Sequence, residues 1–282
     1  MEKRIKNTLS YLELGADNIF SYDFTNIEQG EELKLRESVA SQNYQGYLDE
    51  ISNHHSIPVM DREVDIFLKN IPLHGIVVDI GGCWGWHWRR MNYVRPDIFI
   101  FIVDFVRENL IHAKKVLGPQ INKNIFLVHG DATDLIFQDN TFDGWWSVQT
   151  LQHVPNFEKA VKEALRILAP GGVFANYSLN IQSFAQFIYG LIGKHYHIAG
   201  QIPGTFYLDR ASDKQLKAIE EIFANDVQQR FTEVLFNPDF KIRFTGKENS
   251  ILGKIDALFF NSNCRIFSSI ARQRSFHTYK IG

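Results

Sequence analysis

The chain of 282 residues has two cysteines, no long apolar run and almost no excess of charge of either sign. Cys83 and Cys264 stand far apart and outside any CxxC motif or His/Cys cluster, which argues against disulfides and against a bound metal. No run of about 18 apolar residues occurs, so stable membrane insertion is not expected. These absences favour a reducing, cytoplasmic location.

The charges do not indicate a nucleic-acid partner. Lys and Arg number 30 against 32 Asp and Glu, and no basic stripe stands out that would hold a phosphate backbone. The charged start, MEKRIK, is not followed by an apolar secretion segment. We therefore expect a small-molecule partner, while the oligomeric state stays open.

Buried strands alternate with helices through the middle of the chain. Short runs rich in β-branched and aromatic residues are bounded by glycines and polar turns, which is typical of a parallel sheet covered on both faces. This pattern predicts an α/β, Rossmann-like, doubly wound and mostly parallel sheet of seven strands. The strands are predicted at 75–80, 98–103, 124–128, 142–148, 173–178, 230–236 and 264–271, and the helices at 58–70, 106–117, 157–168 and 212–223, with Gly171-Gly172 closing the third helix.

Two segments lie outside the regular pattern. Residues 1–56 are interpreted as an N-terminal helical extension that contributes to a lid, and 57–282 as the main domain. Within that domain, residues 181–211 follow the fifth strand of the alternating core and are expected to form a lid over a substrate. Phe184, Phe187, Ile188 and Leu191 share one helical face that is predicted to pack on the core, while Tyr189, Ile192 and Tyr196 share another that could meet the substrate.

The candidate site residues follow the strands, because the ligand crevice of an open parallel sheet lies beyond the carboxyl ends of its strands. After the first strand comes a glycine-rich turn at 79–85, DIGGCWG. A dinucleotide motif G-x-G-x-x-G does not fit it, whether it starts at Gly81 or at Gly82. Asp104 stands about 20 residues beyond the turn, where an acid can accept hydrogen bonds from ribose hydroxyls; the alternative role is a helix N-terminal acid.

The third and fourth strands end in further polar turns. Residues 130–135 read GDATDL, and residues 142–154 read FDGWWSVQTLQHV. Taken together, the four strand ends resemble the class I S-adenosylmethionine-dependent methyltransferases, and nearest the small-molecule, type 11-like branch. The resemblance covers about residues 75–178, and Cys83 takes the place of the middle glycine of the family's D-x-G-x-G-x-G turn. With a Cβ at 83, either the approach of a ligand narrows or Gly82 takes over the tight bend.

The resemblance implies S-adenosylmethionine as the cofactor. Asp104 would accept from its ribose, Phe105 would stack on its adenine, and Asp131 and the amide of Ala132 would bind the adenine edge. Backbone from Ser147 to Gln149 would meet the ammonium group. The candidate cofactor-binding residues are Asp79, Gly81, Gly82, Cys83, Gly85, Asp104, Phe105, Asp131, Ala132, Ser147 and Gln149.

The implied reaction is methyl transfer to a small acceptor such as a quinone, lipid, sterol, sugar or secondary metabolite. No catalytic residue is assigned. His153 is interpreted as a packing residue whose ring bonds the backbone, in preference to a general base. His195 and His197 are weaker candidates for a base, and Tyr44 and Tyr47 are expected above the cofactor. The alternative is a non-catalytic cofactor-binding or regulatory protein with the same fold.

Overall fold

The computed structural model describes residues 2–24, 46–202, 206–260 and 265–282, in which nine strands form one sheet in the order β1-β2-β5-β4-β3-β6-β7-β11-β10. These are β1 Glu13–Leu14, β2 Phe20–Ser21, β3 Ile76–Ile80, β4 Phe99–Asp104, β5 Ile125–His129, β6 Phe142–Val148, β7 Leu168–Leu179, β10 Gln228–Thr232 and β11 Gln273–Tyr279, and β8 Ala199–Gln201 pairs with β9 Tyr207–Asp209 as a separate hairpin. The α-helices are α1 Glu2–Leu9, α2 Tyr47–His54, α3 Ile57–Leu68, α4 Met91–Val94, α5 Arg107–Leu117, α6 Phe157–Ile167, α7 Ser183–Leu191, α8 Asp213–Phe223 and α9 Ile251–Ile255.

The five central strands β5, β4, β3, β6 and β7 run parallel, as predicted. Every residue of β3 is buried, because helices cover both faces of the sheet. On one face α3 places Phe67 against Trp146 of β6, with ring centroids 5.0 Å apart. On the other face α8 places Phe223 against Phe174 of β7, with ring centroids 5.2 Å apart. The α/β class and the doubly wound order are confirmed.

The sheet is wider than the predicted seven strands because the N-terminal segment joins its edge. The hairpin of β1 and β2 pairs with β5, with Phe20 opposite Val128 in parallel register. The described part of the N-terminal extension contains the helices α1 and α2, as expected, and also two strands that were not expected. Strands of two residues are too short to show an alternating pattern, so the sequence did not reveal them.

The last strands are displaced from their predicted positions. β10 begins two residues before 230, and β11 covers Gln273–Tyr279, whereas Arg265–Ser269 of the predicted strand 264–271 form a 3₁₀ helix. Residues 261–264 lie outside the described part of the chain. β11 contains buried polar side chains, among them Arg274, which bonds Asp213 at 2.6 Å. A strand with this many polar residues is not detected from runs of apolar residues in the sequence.

Two smaller expectations also change. Gly171-Gly172 does not close a helix: α6 ends at Ile167 and β7 runs through both glycines, with Gly171 at φ +78°.

The predicted packing face of α7 is exposed, since Phe184, Phe187 and Leu191 all face solvent. Among the residues of α7 Ala185 is the buried one, and Tyr196, which follows the helix, is also buried. Tyr196 was expected to face a substrate, but its hydroxyl accepts from the Gln182 amide at 3.1 Å.

All the loops that matter for a site emerge at one edge of the sheet. The central strands are parallel, so the turns after β3, β4, β5 and β6 share the carboxyl edge. β11 and β10 are antiparallel neighbours, with Gln273 opposite both Leu179 and Thr232. The connection 233–272 therefore leaves the sheet at this same edge. No helix within the described ranges is long and apolar enough to cross a membrane.

Candidate cofactor site

The turn after β3 is held in left-handed backbone conformations. Gly81 and Gly85 have φ +67°, and Cys83 has φ +50°. A Cβ on Gly81 would lie 2.0 Å from Thr150 Oγ1, and one on Gly82 would lie 2.2 Å from Asp79 Oδ2, so neither position accepts a side chain. Gly82 itself does not adopt a positive φ. The idea that Gly82 takes over the tight bend is therefore wrong, because Cys83 adopts the left-handed conformation itself.

Asp79 ends β3 in a buried position beneath this turn. Its Oδ2 accepts a hydrogen bond of 2.7 Å from the indole Nε1 of Trp88. Burial raises the pKa of the Asp79 carboxyl to about 7, the Trp88 bond lowers it, and the nearby Asp104 carboxylate raises it further. A positive charge placed at this end of β3 would favour the ionised carboxylate.

Asp104 ends β4 and connects the glycine turn to α5. Its Oδ2 accepts from the Cys83 amide at 2.9 Å, and its Oδ1 accepts from the Val106 amide at 2.8 Å and from Asn109 Nδ2 at 3.2 Å. The carboxylate is buried. The helix N-terminal role thus exists in this structure, and the same carboxylate lies against the turn where a ribose would bind.

Asp131 sits in the turn after β5. Its Oδ1 accepts from the amide and the hydroxyl of Thr133, at 2.9 and 3.1 Å. Its own amide donates at 3.0 Å to the hydroxyl of Tyr22, which in turn donates at 2.9 Å to the carbonyl of Asp134. Ala132, next to it, is buried. The N-terminal segment therefore fixes the shape of a turn that is more than 100 residues away in sequence.

Aromatic rings cover the ends of β4 and β5. The Phe24 ring contacts Phe105 with centroids 5.7 Å apart and His129 with centroids 5.1 Å apart. His129 Nε2 donates to the carbonyl of Phe105 at 3.2 Å. Phe105 was expected to stack on adenine, and the structure places it in an aromatic cluster beside Asp104. Such a cluster offers an apolar wall to a planar ring.

The end of β6 brings two further residues to the turn. Ser147 pairs with Ile80 in the sheet register, and Gln149 adopts φ +52° while its amide donates to the carbonyl of Tyr177 at 2.7 Å. Ser147 Oγ and Gln149 Nε2 are buried, and neither has a hydrogen-bond partner among the residues that the structure describes. Buried donors that lack a partner are costly, so these atoms are suited to an amino-acid group carrying its own donors and acceptors.

Two of the histidine candidates, His153 and His197, donate hydrogen bonds to backbone carbonyls. His153 Nδ1 donates to the carbonyl of Tyr207 at 2.7 Å, and its Nε2 accepts from Gln152 Nε2 at 3.1 Å. The bond from the His153 ring to a backbone carbonyl is the one expected of a packing residue. His197 donates to the carbonyl of Gly200 at 3.1 Å, and His195 is exposed.

Of the two tyrosines expected above the cofactor, Tyr44 lies outside the described residues and Tyr47 lies within them. Tyr47 begins α2 near Arg89 and Glu248, and burial raises the pKa of its hydroxyl. Neither observation brings a tyrosine to the turn after β3.

Three contributors to the site escaped sequence analysis. Thr150 fills the space beside Gly81 and donates to its carbonyl at 3.3 Å, Trp88 bonds Asp79, and Tyr22 holds the turn at Asp131. The tryptophans at 84, 86 and 88 form an unusual run in the sequence, and this run could have indicated that Trp88 contributes to the site. Tyr22 lies in a loosely patterned segment that carries no such signal.

Known proteins share this fold and part of this sequence. Residues 78–176 match the family model described as a methyltransferase domain. The demethylmenaquinone methyltransferase of Staphylococcus aureus strain JH9 is 41% identical over 92 residues, which are 33% of this chain and 37% of that enzyme. The match thus spans little more than a third of the relative's length.

Solved structures resemble the chain over a longer stretch. A SAM-dependent methyltransferase of Thermotoga maritima has a TM-score of 0.59 at 18% identity, covering 88% of this chain and 99% of that one. Phosphoethanolamine N-methyltransferase 2 of Haemonchus contortus, solved with S-adenosyl-L-methionine, has a TM-score of 0.53 at 15% identity, covering 78% and 52%. At these identities the likeness shows the fold.

The family match falls on β3 to β7, which are the strands whose ends carry the acids and the glycine turn described above. The cofactor of this family is S-adenosylmethionine. Through this region the chain resembles the class I S-adenosylmethionine-dependent methyltransferases.

Proposed function

We propose that this protein transfers the methyl group of S-adenosylmethionine to a small-molecule acceptor. The observation that carries the proposal is the convergence of four strand ends, those of β3, β4, β5 and β6, on one edge of the sheet. Each end presents a polar residue: Asp79, Asp104 and Asp131 are buried, and Gln149 is partly buried with its Nε2 atom shielded from solvent. A crevice of this kind is where open α/β sheets bind their ligands.

The residues fit the parts of the cofactor. Asp104 would accept from the ribose hydroxyls, while Phe105, Asp131 and Ala132 would hold the adenine. The turn containing Gly81, Gly82, Cys83 and Gly85, together with Asp79, Ser147 and Gln149, would hold the methionine part. Three carboxylates at one edge favour a ligand that carries a sulfonium and an ammonium charge.

When bound, S-adenosylmethionine supplies an activated methyl group on sulfur. The chain's own contribution is then mainly to orient the donor and the acceptor in line and to exclude water. The turn at 81–85 is closely packed, since side chains at its glycine positions would collide with neighbours and the Thr150 hydroxyl donates to the Gly81 carbonyl. Because His153 is held by Tyr207 and Gln152, its ring is not placed as a general base.

For the acceptor we propose a quinone-type ring as the first compound class to test, with lipids, sterols, sugars and other secondary metabolites next. The demethylmenaquinone relatives support this choice. Residues 181–211 follow β7 at the same edge of the sheet, and together with residues 1–56 they are the proposed cover of the acceptor, over a main domain of residues 57–282.

The proposal is tested by calorimetry with S-adenosylhomocysteine, followed by a screen for transfer of a labelled methyl group to demethylated quinols, phenols, sterols and sugars. Binding together with transfer to one class supports it. Absence of binding at millimolar ligand overturns it. Binding without transfer to any class would instead favour a non-catalytic cofactor-binding or regulatory protein.

A variant at Asp104 locates the site. Asp104→Ala is expected to weaken S-adenosylhomocysteine binding by about 1.5–3 kcal/mol, because a charged acceptor for two hydroxyls is lost. Asn109→Ala removes a neighbour of the same carboxylate at 3.2 Å and leaves the acceptor in place, so it is the matched control. An unchanged dissociation constant in a folded Asp104→Ala protein contradicts the assignment.

A further inference from the structure

Large apolar side chains are exposed together at the carboxyl edge of the sheet. Phe184, Phe187 and Leu191 lie on α7, and Phe244, Phe259 and Ile266 lie in the connection 233–272; each of the six is between 52% and 76% exposed. We call these six residues the apolar face. All the phenylalanines among the exposed large hydrophobic residues of the described chain belong to it.

The two parts of the apolar face are joined by direct contacts. The side chain of Gln182, which precedes α7, donates from Nε2 to the carbonyl of Ile270 at 2.6 Å. The Tyr189 ring on α7 contacts Phe240, with centroids 6.3 Å apart. The Phe260 ring contacts Phe267, with centroids 5.6 Å apart, which links the π-helical turn Asp256–Phe260 to the 3₁₀ helix Arg265–Ser269. These contacts hold α7 against the segments around Phe240 and Ile270, and they hold the segments that carry Phe259 and Ile266 against each other.

Burial of phenylalanine side chains does not stabilise the helix α7, because its phenylalanines are exposed. Phe184, Phe187 and Leu191 are spaced by three and four residues and form one helical stripe. In a water-soluble helix such a stripe normally faces the core, yet here Ala185 faces the core. An apolar stripe that points outward marks a surface for a partner or for a lipid phase.

The charges around the apolar face indicate which of the two, a partner or a lipid phase, it contacts. Residues 181–202 contain no Asp or Glu, and Lys194 is exposed among them. Residues 239–256 carry four cations, Lys241, Arg243, Lys247 and Lys254, against three acids, Asp239, Glu248 and Asp256. Glu248 is bonded to Arg89, Asp256 is buried and accepts from two backbone amides, and Lys247 lies 3.9 Å from Asp49. In a chain whose total charge is −2, the exposed groups of this segment that remain are mainly basic, and Arg243 is the sequence neighbour of the exposed Phe244.

Apolar side chains surrounded by lysine and arginine suit an anionic lipid surface, where the phenylalanines enter the acyl boundary and the cations meet the headgroups. We propose that the apolar face docks the protein on a membrane that contains anionic lipids. The face lies at the same edge as the candidate cofactor site, so docking would turn the crevice toward the bilayer. This inference concerns the surface alone, and it is tested without the cofactor.

The experiment is cosedimentation of the full chain with large unilamellar vesicles. We expect binding to vesicles of phosphatidylcholine with about one third phosphatidylglycerol, weak binding to phosphatidylcholine alone, and release by salt as charges are screened. The variant Phe187→Glu/Leu191→Glu should reduce the partition coefficient about tenfold or more, because two apolar side chains no longer enter the lipid.

The matched control is Leu73→Glu/Tyr93→Glu. Both residues are more than 75% exposed, and Leu73 precedes β3 at the opposite edge of the sheet. This variant should bind as the wild type does. Equal binding of the two variants, or no binding of the wild type to anionic vesicles, overturns the proposal. A dimer in analytical ultracentrifugation that the Phe187→Glu/Leu191→Glu change dissociates, with no vesicle binding, would assign the face to a second copy of the chain instead.

Discussion

The indole of Trp88 donates a hydrogen bond of 2.7 Å to the carboxylate of Asp79 beneath the glycine turn. The carboxyl has its pKa raised to about 7 in the folded protein, against 3.8 for an exposed group. Between pH 4 and 7 the folded state therefore holds a proton that the unfolded state has released, and stability falls as the pH rises through this window.

Asp79→Asn removes this titration and keeps an acceptor for Trp88. Relative to the wild type, the free energy of unfolding of the variant should rise by a few kcal/mol between pH 4 and 7, measured by urea denaturation without cofactor. Asp256 also has its pKa raised to about 7, but it is present in both proteins and cancels in the difference. A constant difference across the window would show that Asp79 titrates normally.

Cys83→Gly should stabilise the protein by up to about 1 kcal/mol. A non-glycine residue in the left-handed conformation at φ +50° destabilises the folded state by about 1–2 kcal/mol, and glycine removes this strain. Glycine also gives the unfolded chain more conformational freedom, which offsets about half of the gain in the free energy of unfolding. Affinity for S-adenosylhomocysteine should stay equal or increase. Cys83→Ala keeps the Cβ and is the control. If alanine stabilises as much as glycine does, the thiol and not the backbone is the source of strain.

Tyr22→Phe should weaken S-adenosylhomocysteine binding about three- to tenfold, because the turn at Asp131 loses the hydroxyl that bridges its backbone. Tyr11→Phe removes another N-terminal hydroxyl, one that accepts from Gln138, and should leave the affinity unchanged. Isothermal titration of both variants checks this. Equal affinities for the two would mean that the N-terminal segment does not shape the cofactor site.

His153→Asn should preserve methyl transfer, since the asparagine Nδ2 can replace the ring Nδ1 as donor to the Tyr207 carbonyl. His153→Ala should lower stability by about 1–3 kcal/mol, because it leaves a carbonyl without its donor. Turnover and thermal unfolding are measured side by side. Loss of turnover in both variants, with cofactor affinity intact, would restore His153 as a base.

The central strands could be predicted because their sequences are governed by burial on two faces. β3, β4, β5 and β6 appear within one residue of their expected bounds, and Ser212 caps α8 as expected, accepting from the Gln215 amide at 3.3 Å. The edges could not be predicted in this way. β11 pairs with β7 over seven residues although it contains Arg274 and His277, because both of these side chains find hydrogen-bond partners in the fold.

The strand ends were located from the sequence, but their local geometry was not. The positions of Asp79, Asp104 and Asp131 follow from the strand pattern. The left-handed Cys83 could not be anticipated, since non-glycine residues rarely adopt it and its stability depends on the bond from its amide to Asp104. The outward face of α7 was missed for another reason: a helical stripe of phenylalanine shows that a surface will be covered, without showing by what.

β10 reaches the sheet through β11 alone among the described strands, since β11 pairs with β7 and β10 pairs with β11. The connection 233–272 stands between the two strands. During synthesis, β10 therefore cannot join the sheet until residues 273–279 have emerged from the ribosome. The apolar face is then among the last surfaces to be completed, when the central strands that form the cofactor crevice have long been available to pair.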